Sequence, residues 1–92
     1  MNKAELIESV ANHSGLNKRQ AGAAVDAFVE TVTAALAAKE NVTIVGFGTF
    51  STTERAAREG RNPRTGETIE IEARTAPRFR AGKALRDAVN SR

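Results

Sequence analysis

The sequence predicts an α+β fold with a helical hairpin, a three-stranded antiparallel sheet that carries a protruding β-ribbon arm, and a short C-terminal helix. Two observations lead to this prediction. Apolar residues recur at helical spacing as far as about residue 39, and β-branched or alternating residues follow. Large apolar residues then disappear between residues 55 and 67, so a strand pair there has nothing to pack against a core. The predicted element order is α-α-β-β-β-α.

The first 39 residues predict two helices joined by a turn. Asn2 and Glu5 fit a capping box at the start of the first helix, and Gly15 fits a left-handed stop at its end. Asn17 begins the second helix, whose apolar stripe is broad enough to face more than one neighbour. The stripe contains Val25, Phe28, Val32 and Leu36, widened by Ala24, Val29 and Ala35.

The rest of the chain predicts strands and one more helix. Val42–Val45 is a β-branched run, and a glycine-rich turn follows it. Residues 49–59 are predicted as one long strand and residues 67–74 as the returning strand. Pro77 is predicted to interrupt the sheet, and a short helix is expected from about residue 82 to 89. The buried side of this helix is predicted to carry Leu85, Ala88 and Val89.

The length and the lack of cysteine favour a dimer. A chain of 92 residues allows one domain with a modest core, and it has no disulfide or thiolate metal site to stabilise it. Oligomerisation is the usual remedy, because it shares a core between chains. The segment Met1–Glu5 does not read as a signal peptide, and no stretch approaches the roughly 20 apolar residues of a membrane span. A soluble, cytoplasmic protein without a membrane partner is therefore expected.

The net charge of +3 is unevenly distributed along the chain. Residues 1–54 carry four basic and six acidic side chains, whereas residues 55–92 carry ten basic and five acidic ones. Nine of those ten basic residues are arginines, whose planar guanidinium groups suit phosphate. The second half is therefore typical of a polyanion contact, while composition alone fits a solvated charged surface equally well.

The predicted arm has the composition of a DNA-groove ligand. A two-stranded ribbon fits a DNA groove, and arginines on it can reach the phosphates on either side. Pro63 at the tip presents a rigid apolar wedge of the kind that kinks DNA between base steps. The same proline also fits a simple turn former, and spacing alone does not separate the two roles. The arm arginines are Arg55, Arg58, Arg61 and Arg64.

Other conspicuous residues favour structural roles. His13 stands alone near the end of the first helix, and Glu70 and Glu72 are expected to balance the neighbouring arginines. No nucleophile–base pair or cluster of metal ligands is visible, so no enzymatic activity, cofactor or metal is predicted. Aromatic rings that either stack on bases or pack in a dimer core belong to Phe47, Phe50 and Phe79.

Four segments of the chain are distinctive together: Met1–Lys3, Gly46–Phe50, Arg58–Glu67 and Ala81–Leu85. They resemble the HU / integration host factor family of bacterial histone-like, DNA-bending proteins, and HU most of all. The resemblance covers essentially the whole chain, and the arm segment is its most specific part. It implies an intertwined homodimer in which a helical base carries a β-saddle and two arms that reach around DNA.

By this resemblance, residues 1–92 are a single DNA-binding domain. Residues 1–40 are its helical dimerisation region, residues 41–81 are the β-saddle with the arm at about 55–74, and residues 82–92 are the C-terminal helix region. The rings of the aromatic residues are then expected in the dimer core. That core is expected to contain Phe28, Val32, Leu36, Ile44, Phe47, Phe50 and Phe79.

The resemblance also assigns DNA contacts, with Pro63 as the intercalating wedge. The sequence departs from the family at three positions, where Glu72 replaces a usual proline, Ala76 a usual valine, and Arg78 a commonly small residue. Glu72 bears on the rigidity of the returning strand, and Arg78 is either a further phosphate contact or a surface charge. The residues expected to bind DNA are Lys3, the backbone at Gly46, Arg55, Arg58, Arg61, Asn62, Pro63, Arg64, Thr65, Gly66, Arg78, Arg80, Lys83 and Arg86.

The expected function is that of a nucleoid-associated protein that binds, bends and compacts double-stranded DNA through minor-groove arms. Little sequence specificity is expected, because no recognition helix presents base-reading side chains. Bent, nicked or gapped duplexes are expected to bind better. Two alternatives are a sequence-selective, heterodimeric subunit like integration host factor, and a dimeric scaffold whose basic surface docks an acidic protein. A heterodimer with a paralogous chain is also open.

Overall fold

The computed structural model describes residues 1–91 and divides the chain into two compact units, one covering Met1–Ala35 and the other beginning at Leu36. Arg92, the last residue of the predicted C-terminal helix region, lies outside the described residues. The elements in chain order are α1 (Lys3–Ser14), α2 (Lys18–Ala37), β1 (Val42–Ile44), β2 (Gly48–Arg55), β3 (Arg58–Arg61), β4 (Thr68–Ile71), β5 (Arg74–Ala81) and α3 (Lys83–Asn90).

The first two helices begin and end where the sequence predicts. The Asn2 side chain accepts a hydrogen bond from the Glu5 N–H at 2.9 Å, and the Glu5 carboxylate accepts one from the Asn2 N–H at 3.4 Å. Gly15 ends α1 with a φ of 78°, a left-handed conformation that favours glycine. Asn17 and Gln20 form the same reciprocal pair before α2, at 2.8 and 3.1 Å. These bonds satisfy N–H groups that have no partner within the helix.

The strands form two antiparallel sheets. One has three strands in the order β1-β2-β5, and the other contains only β3 and β4. The two-stranded sheet is the predicted β-ribbon arm, so the predicted fold class is confirmed. Residues 58–71, which are β3, β4 and the turn between them, are called the arm below.

The structure corrects the prediction of two long, unbroken strands. Hydrogen-bonded pairing stops at Ala56–Ala57 on the outgoing side and at Glu72–Ala73 on the returning side, so residues 1–91 contain five strands instead of the predicted three. Arg55 still pairs with Arg74 before the break, and Arg58 with Ile71 after it. Equal numbers of residues are skipped on both sides, and the register is therefore continuous through the break.

The prediction that Pro77 interrupts the sheet is wrong. Pro77 lies inside β5 and is paired with Thr52 of β2. Because β5 is an edge strand, it has a neighbour on one side only. A residue without an N–H group is tolerated there when that position faces away from the neighbouring strand.

The chain by itself buries very little. The only apolar side chains that are buried among residues 1–91 are those of Ala11 and Ala21, in α1 and α2. In the single chain the predicted buried side of α3 is only partly covered, because Val89 is 73% exposed and Ala88 is also exposed, whereas Leu85 is half-buried. A buried face needs a neighbour that covers it, and helical spacing alone does not supply one.

The residues predicted for a dimer core are also only partly covered. Phe28, Phe47 and Phe79 are 45%, 42% and 42% exposed. The remaining predicted core residues are half-buried, namely Val32, Leu36, Ile44 and Phe50. Their contact with a second chain stays a prediction.

Candidate nucleic-acid interface

Pairing between β2 and β5 separates basic from aromatic side chains. Thr49 pairs with Arg80 and Ser51 with Arg78, and Arg55 pairs with Arg74 at the end of the sheet. Because directly opposed residues share a face and side chains alternate along a strand, these residues lie on one face. The basic sheet face is defined as Thr49, Ser51, Thr53, Arg55, Arg74, Ala76, Arg78 and Arg80.

The opposite face of the same sheet carries the aromatic cluster. Phe50 pairs with Phe79, and this pair lies between the pairs that contain Arg80 and Arg78. The ring centroids of Phe50 and Phe79 are 4.9 Å apart and those of Phe47 and Phe79 are 5.4 Å apart, in tilted arrangements favourable for aromatic pairs. Phe50 and Phe79 therefore lie on the face away from the arginines, which favours packing over the stacking of bases.

Two glycines allow the chain to approach itself closely beside this cluster. A Cβ on Gly48 would lie 2.6 Å from the Arg80 carbonyl oxygen and from the Phe79 ring. The Gly82 N–H donates to the Phe47 carbonyl oxygen at 2.8 Å, which ties the glycine-rich turn to the start of α3. The turn at Gly46 and the helix that carries Lys83 and Arg86 are consequently close together.

The tip of the arm is a tightly bonded turn. The Asn62 N–H donates to the Glu67 carbonyl oxygen at 2.8 Å, and the Gly66 N–H donates to the Asn62 carbonyl oxygen at 2.7 Å. The Asn62 side chain accepts from the Arg64 N–H at 2.9 Å, and Gly66 has a φ of 76°. Pro63 has no N–H, so its exposed position at the tip leaves no donor unsatisfied. Asn62 and Gly66 thus shape the turn that presents Pro63 and Arg64.

Arginines lie on both faces of the arm. Arg58 is opposite Ile71, and Arg61 is opposite Thr68. Residues three apart on a strand point to opposite faces, so Arg58 and Arg61 project in opposite directions. In a ribbon that lies in a groove between two phosphate backbones, positive charge on both faces can contact the phosphates of both strands.

The two lysines expected to contact phosphate are already paired. Lys3 Nζ lies 2.7 Å from Asp26 Oδ1, and Lys83 Nζ lies 2.7 Å from Asp87 Oδ2. All four side chains are well exposed, so each pair contributes little to stability. A DNA phosphate that binds either lysine has to compete with the aspartate.

Sequence reasoning missed Arg74. It is directly opposite Arg55 and lies on the basic sheet face with Arg78 and Arg80. The signal was present in the sequence, because residues 74, 78 and 80 are separated by even numbers and share a face on any regular strand. The predicted interruption at Pro77 concealed it.

A second missed group links the end of α2 to the sheet. Lys39 Nζ lies 3.1 Å from Glu54 Oε1, and the Thr75 hydroxyl donates to the same oxygen at 3.0 Å. The hydrogen bond from Lys39, followed by that from Thr75, holds the pKa of the Glu54 carboxyl below its ordinary value. Glu54 and Thr75 are paired across β2 and β5, just before the arm begins.

Among residues 1–91, no group of three or more potential metal ligands is assembled. No helix in the same part of the chain is long and apolar enough to span a membrane. The candidate interface is defined by arginines, hydroxyl groups and the arm turn.

Comparison with known proteins places this geometry in a family. The family model described as "Bacterial DNA-binding protein" matches residues 1–90. The chain belongs to this bacterial DNA-binding protein family. Named members include DNA-binding protein HU-beta of Pseudomonas fluorescens, 58% identical over 90 residues that cover 98% of this chain and 100% of the relative. DNA-binding protein HU of Lactococcus lactis is 59% identical over 88 residues, covering 96% and 97%.

Solved structures of family members share the fold. HU of Anabaena, solved as a cocrystal with DNA, is 47% identical, covers 100% of both chains and gives a TM-score of 0.91. HU of Thermotoga maritima is 36% identical, covers 97% of this chain and 98% of its own, and gives a TM-score of 0.68. The resemblance to HU that the four sequence segments carry is confirmed, and these relatives are named HU, not integration host factor.

Proposed function

We propose that the chain is an architectural, nucleoid-associated protein that binds double-stranded DNA with little sequence specificity and bends and compacts it. The observation that carries this function is that the same pair of chain segments forms both the basic sheet face and the arm. The basic sheet face presents arginines beside hydroxyl groups, and the arm extends the same strand pairing in continuous register to a proline-bearing tip. The HU relative from Anabaena that was solved with DNA has the same fold.

The proposed mechanism divides the work between sheet and arm. Guanidinium groups of the basic sheet face bind phosphates of the duplex, with Arg78 and Arg80 beside hydroxyl groups on the neighbouring strand. The arm lies in the minor groove, where Arg58 and Arg61 reach the two backbones from opposite faces. Pro63 then inserts between base steps, and the unstacking cost of a few kcal/mol per step is offset by the wider contact with bent DNA.

The working unit is proposed to be a homodimer. Phe28, Phe47 and Phe79 remain more than 40% exposed in the single chain, and Val89 is 73% exposed. Burying a large apolar side chain contributes roughly 1.5–3 kcal/mol, so a second copy that covers these residues gains substantial stability. A dimer also supplies two arms, one for each side of the bend. Replacement of one subunit by a paralogous chain is the alternative.

The test is a titration of intact and nicked duplexes of the same sequence at two salt concentrations, followed by gel shift. Tighter binding to the nicked duplex is expected, because a nick lowers the cost of bending. Affinity is expected to fall steeply with salt, because the contacts are to phosphates. Weak or salt-insensitive binding to both duplexes would contradict the proposal and favour a protein partner for the basic surface.

A second titration separates the two branches of the family. Several unrelated duplex sequences of equal length are compared at one salt concentration. Similar affinities are expected for an HU-like protein. A preference of a thousandfold or more for one sequence, as specific DNA-binding proteins show, would instead favour a subunit like integration host factor.

A further inference from the structure

The break in the strand pairing brings together arginines that a regular ribbon would separate. Arg55 and Arg58 are three residues apart, so on one continuous strand they would point to opposite faces. Pairing stops at Ala56–Ala57, and both arginines line a single cavity of about 190 Å³ at this point. Arg74 lines it from the returning strand. The arm root is defined here as Arg55, Ala56, Arg58, Ile71, Glu72 and Arg74.

The arm root carries three arginines and one carboxylate, that of Glu72. Arg55 and Arg74 are directly opposite each other on β2 and β5. Like charges in that arrangement repel, and they are destabilising unless something compensates. No ion pair joins Arg55, Arg58 or Arg74 to a carboxylate of residues 1–91. Glu72 lines the same cavity without forming an ion pair with any of them.

The cavity suits a small anion. Its lining combines guanidinium groups with the apolar side chain of Ile71. Guanidinium groups bind phosphate oxygens through paired, charge-assisted hydrogen bonds. A bound phosphate would also neutralise the repulsion between Arg55 and Arg74.

We propose that the arm root is a phosphate-binding site in which Arg55, Arg58 and Arg74 converge on one phosphate group. This inference rests on the proposed function, and it takes the phosphate to be one of the duplex backbone, bound where DNA passes from the basic sheet face to the arm. Arg74 is the new element of the site, and the break at Ala56–Ala57 is what makes it possible. Glu72 lowers the affinity of the site through its like charge with phosphate.

The first experiment measures duplex affinity over a series of salt concentrations for the wild type, Arg74→Ala and Arg19→Ala. Arg19 is an exposed arginine at the start of α2 and has no part in the proposed contacts, so it controls for the loss of one charge. Each phosphate contact contributes about 0.9 to the slope of log affinity against log salt. Arg74→Ala is expected to reduce the slope by about 1.8 for a dimer with two arm roots. Arg19→Ala is expected to leave the slope nearly unchanged.

Two more readouts separate binding from structural effects. Thermal unfolding of Arg74→Ala is expected at the wild-type temperature or higher, because the repulsion with Arg55 is removed. The affinity of Arg74→Ala for duplex DNA is expected to fall. If Arg74 were merely structural, its loss would lower the unfolding temperature and the affinity together. Glu72→Gln is expected to bind duplex more tightly than the wild type, and a loss of affinity in that variant would count against the site.

The source of the phosphate is tested on the free protein. Inorganic phosphate is titrated while the arginine Nε–H resonances are followed by NMR in the wild type and in Arg74→Ala. Loss of duplex affinity in Arg74→Ala identifies a backbone phosphate. Phosphate-induced shifts in the wild type alone, with unchanged duplex affinity, identify a free phosphate. The site would be overturned if Arg74→Ala kept its duplex affinity and phosphate shifted no arginine resonance in the wild type. Salt-dependent binding of the wild type to duplex would in that case still support the proposed function.

Discussion

Pro63 has no backbone N–H hydrogen bond to lose at the arm tip, because its nitrogen carries no proton. The turn around it is held by Asn62, whose backbone and side chain together make three of the bonds. A substitution that keeps these bonds is therefore expected to remove the proposed apolar wedge without unfolding the arm. Such a substitution distinguishes the two roles that the sequence leaves open for Pro63, which are an intercalating wedge and a turn former.

Pro63→Ala is expected to reduce DNA bending more than it reduces affinity. Bending is measured by ring closure of short duplexes, and affinity by gel shift at low salt. Affinity is expected to fall by less than tenfold, or about 1.4 kcal/mol, because the arginine–phosphate contacts remain. Thr68→Ala, on β4 away from the tip, is the control. Equal losses of bending and affinity would show that Pro63 only shapes the turn.

Gly48→Ala is expected to destabilise the protein by about 1–3 kcal/mol, because the added methyl would overlap the Arg80 carbonyl oxygen and the Phe79 ring. Gly22→Ala is the matched variant. Its methyl would lie 3.8 Å from Ile7 in ordinary contact, and alanine is preferred to glycine inside a helix by about 0.5–1 kcal/mol. Urea unfolding at one fixed protein concentration compares them. Similar stabilities of the two variants would contradict the close approach at Gly48.

At the scale of elements, the end of β2 is held by Glu54. The carboxylate binds both the Lys39 ammonium and the Thr75 hydroxyl, so the outgoing strand is tied to the chain after α2 and to the returning strand. These bonds lower the pKa of Glu54. The ionised carboxylate is thus favoured in the folded state, and the arm starts from an anchored strand pair.

Glu54→Gln is expected to lower stability at neutral pH and to have less effect in acid. Because the folded-state pKa is lowered, the contribution of Glu54 is present above its ordinary value of 4.5 and is lost as pH falls through the folded-state value. The difference in urea midpoint between wild type and variant is measured from pH 7 downwards. Glu40→Gln, which removes a carboxylate without an ion pair to residues 1–91, is the control. A difference that stays constant with pH would exclude an ionic role for Glu54.

Local rules predict some elements well and others poorly. The caps at Asn2, Gly15 and Asn17 depend on residues within four positions of each other, so the sequence contains all the information they need. The place of Pro77 in β5 depends on β5 being an edge strand, which is a property of the whole sheet. The break at Ala56–Ala57 has only a weak local signal, because alanine is merely less common in strands than β-branched residues and does not turn the chain.

In the candidate interface, too, some residues can be predicted from the sequence and others only from the strand pairing. Composition and family resemblance point to the arm arginines and to Arg78 and Arg80, and pairing between β2 and β5 places these last two on one face. The pairing also adds Arg74, which only the strand register reveals. Similarly, the ion pairs of Lys3 and Lys83 connect residues whose proximity depends on helix geometry or on packing between helices.

At the scale of the whole molecule, exposed apolar residues predict that folding and association are linked. Among residues 1–91 the only buried apolar side chains are those of two alanines, so a single chain has no core of large side chains. Obligate homodimers often have no stable folded monomer, and their stability depends on concentration. The unfolding temperature is therefore expected to rise as the protein concentration is increased.

Val29→Asp tests this dependence at one position. Val29 is 54% exposed on α2, so a charge there would be tolerated in a monomer and costly in an interface. Sedimentation equilibrium is expected to give twice the chain mass of 9.8 kDa for the wild type and a lower value for the variant. Glu30→Gln, the next residue on α2, is the control. A wild-type mass of one chain would refute the dimer.

The unbroken register across the arm root fixes how the arm can vary in length. Adding one residue to each strand would turn every arm side chain to the other face, whereas adding two would preserve the faces. Two residues lengthen a strand by about 7 Å, which is close to the axial rise of two base pairs in duplex DNA. In the proposed complex, arm length is thus expected to vary in steps of about two base pairs, and the expected position of Pro63 along the duplex changes with pairs of strand residues.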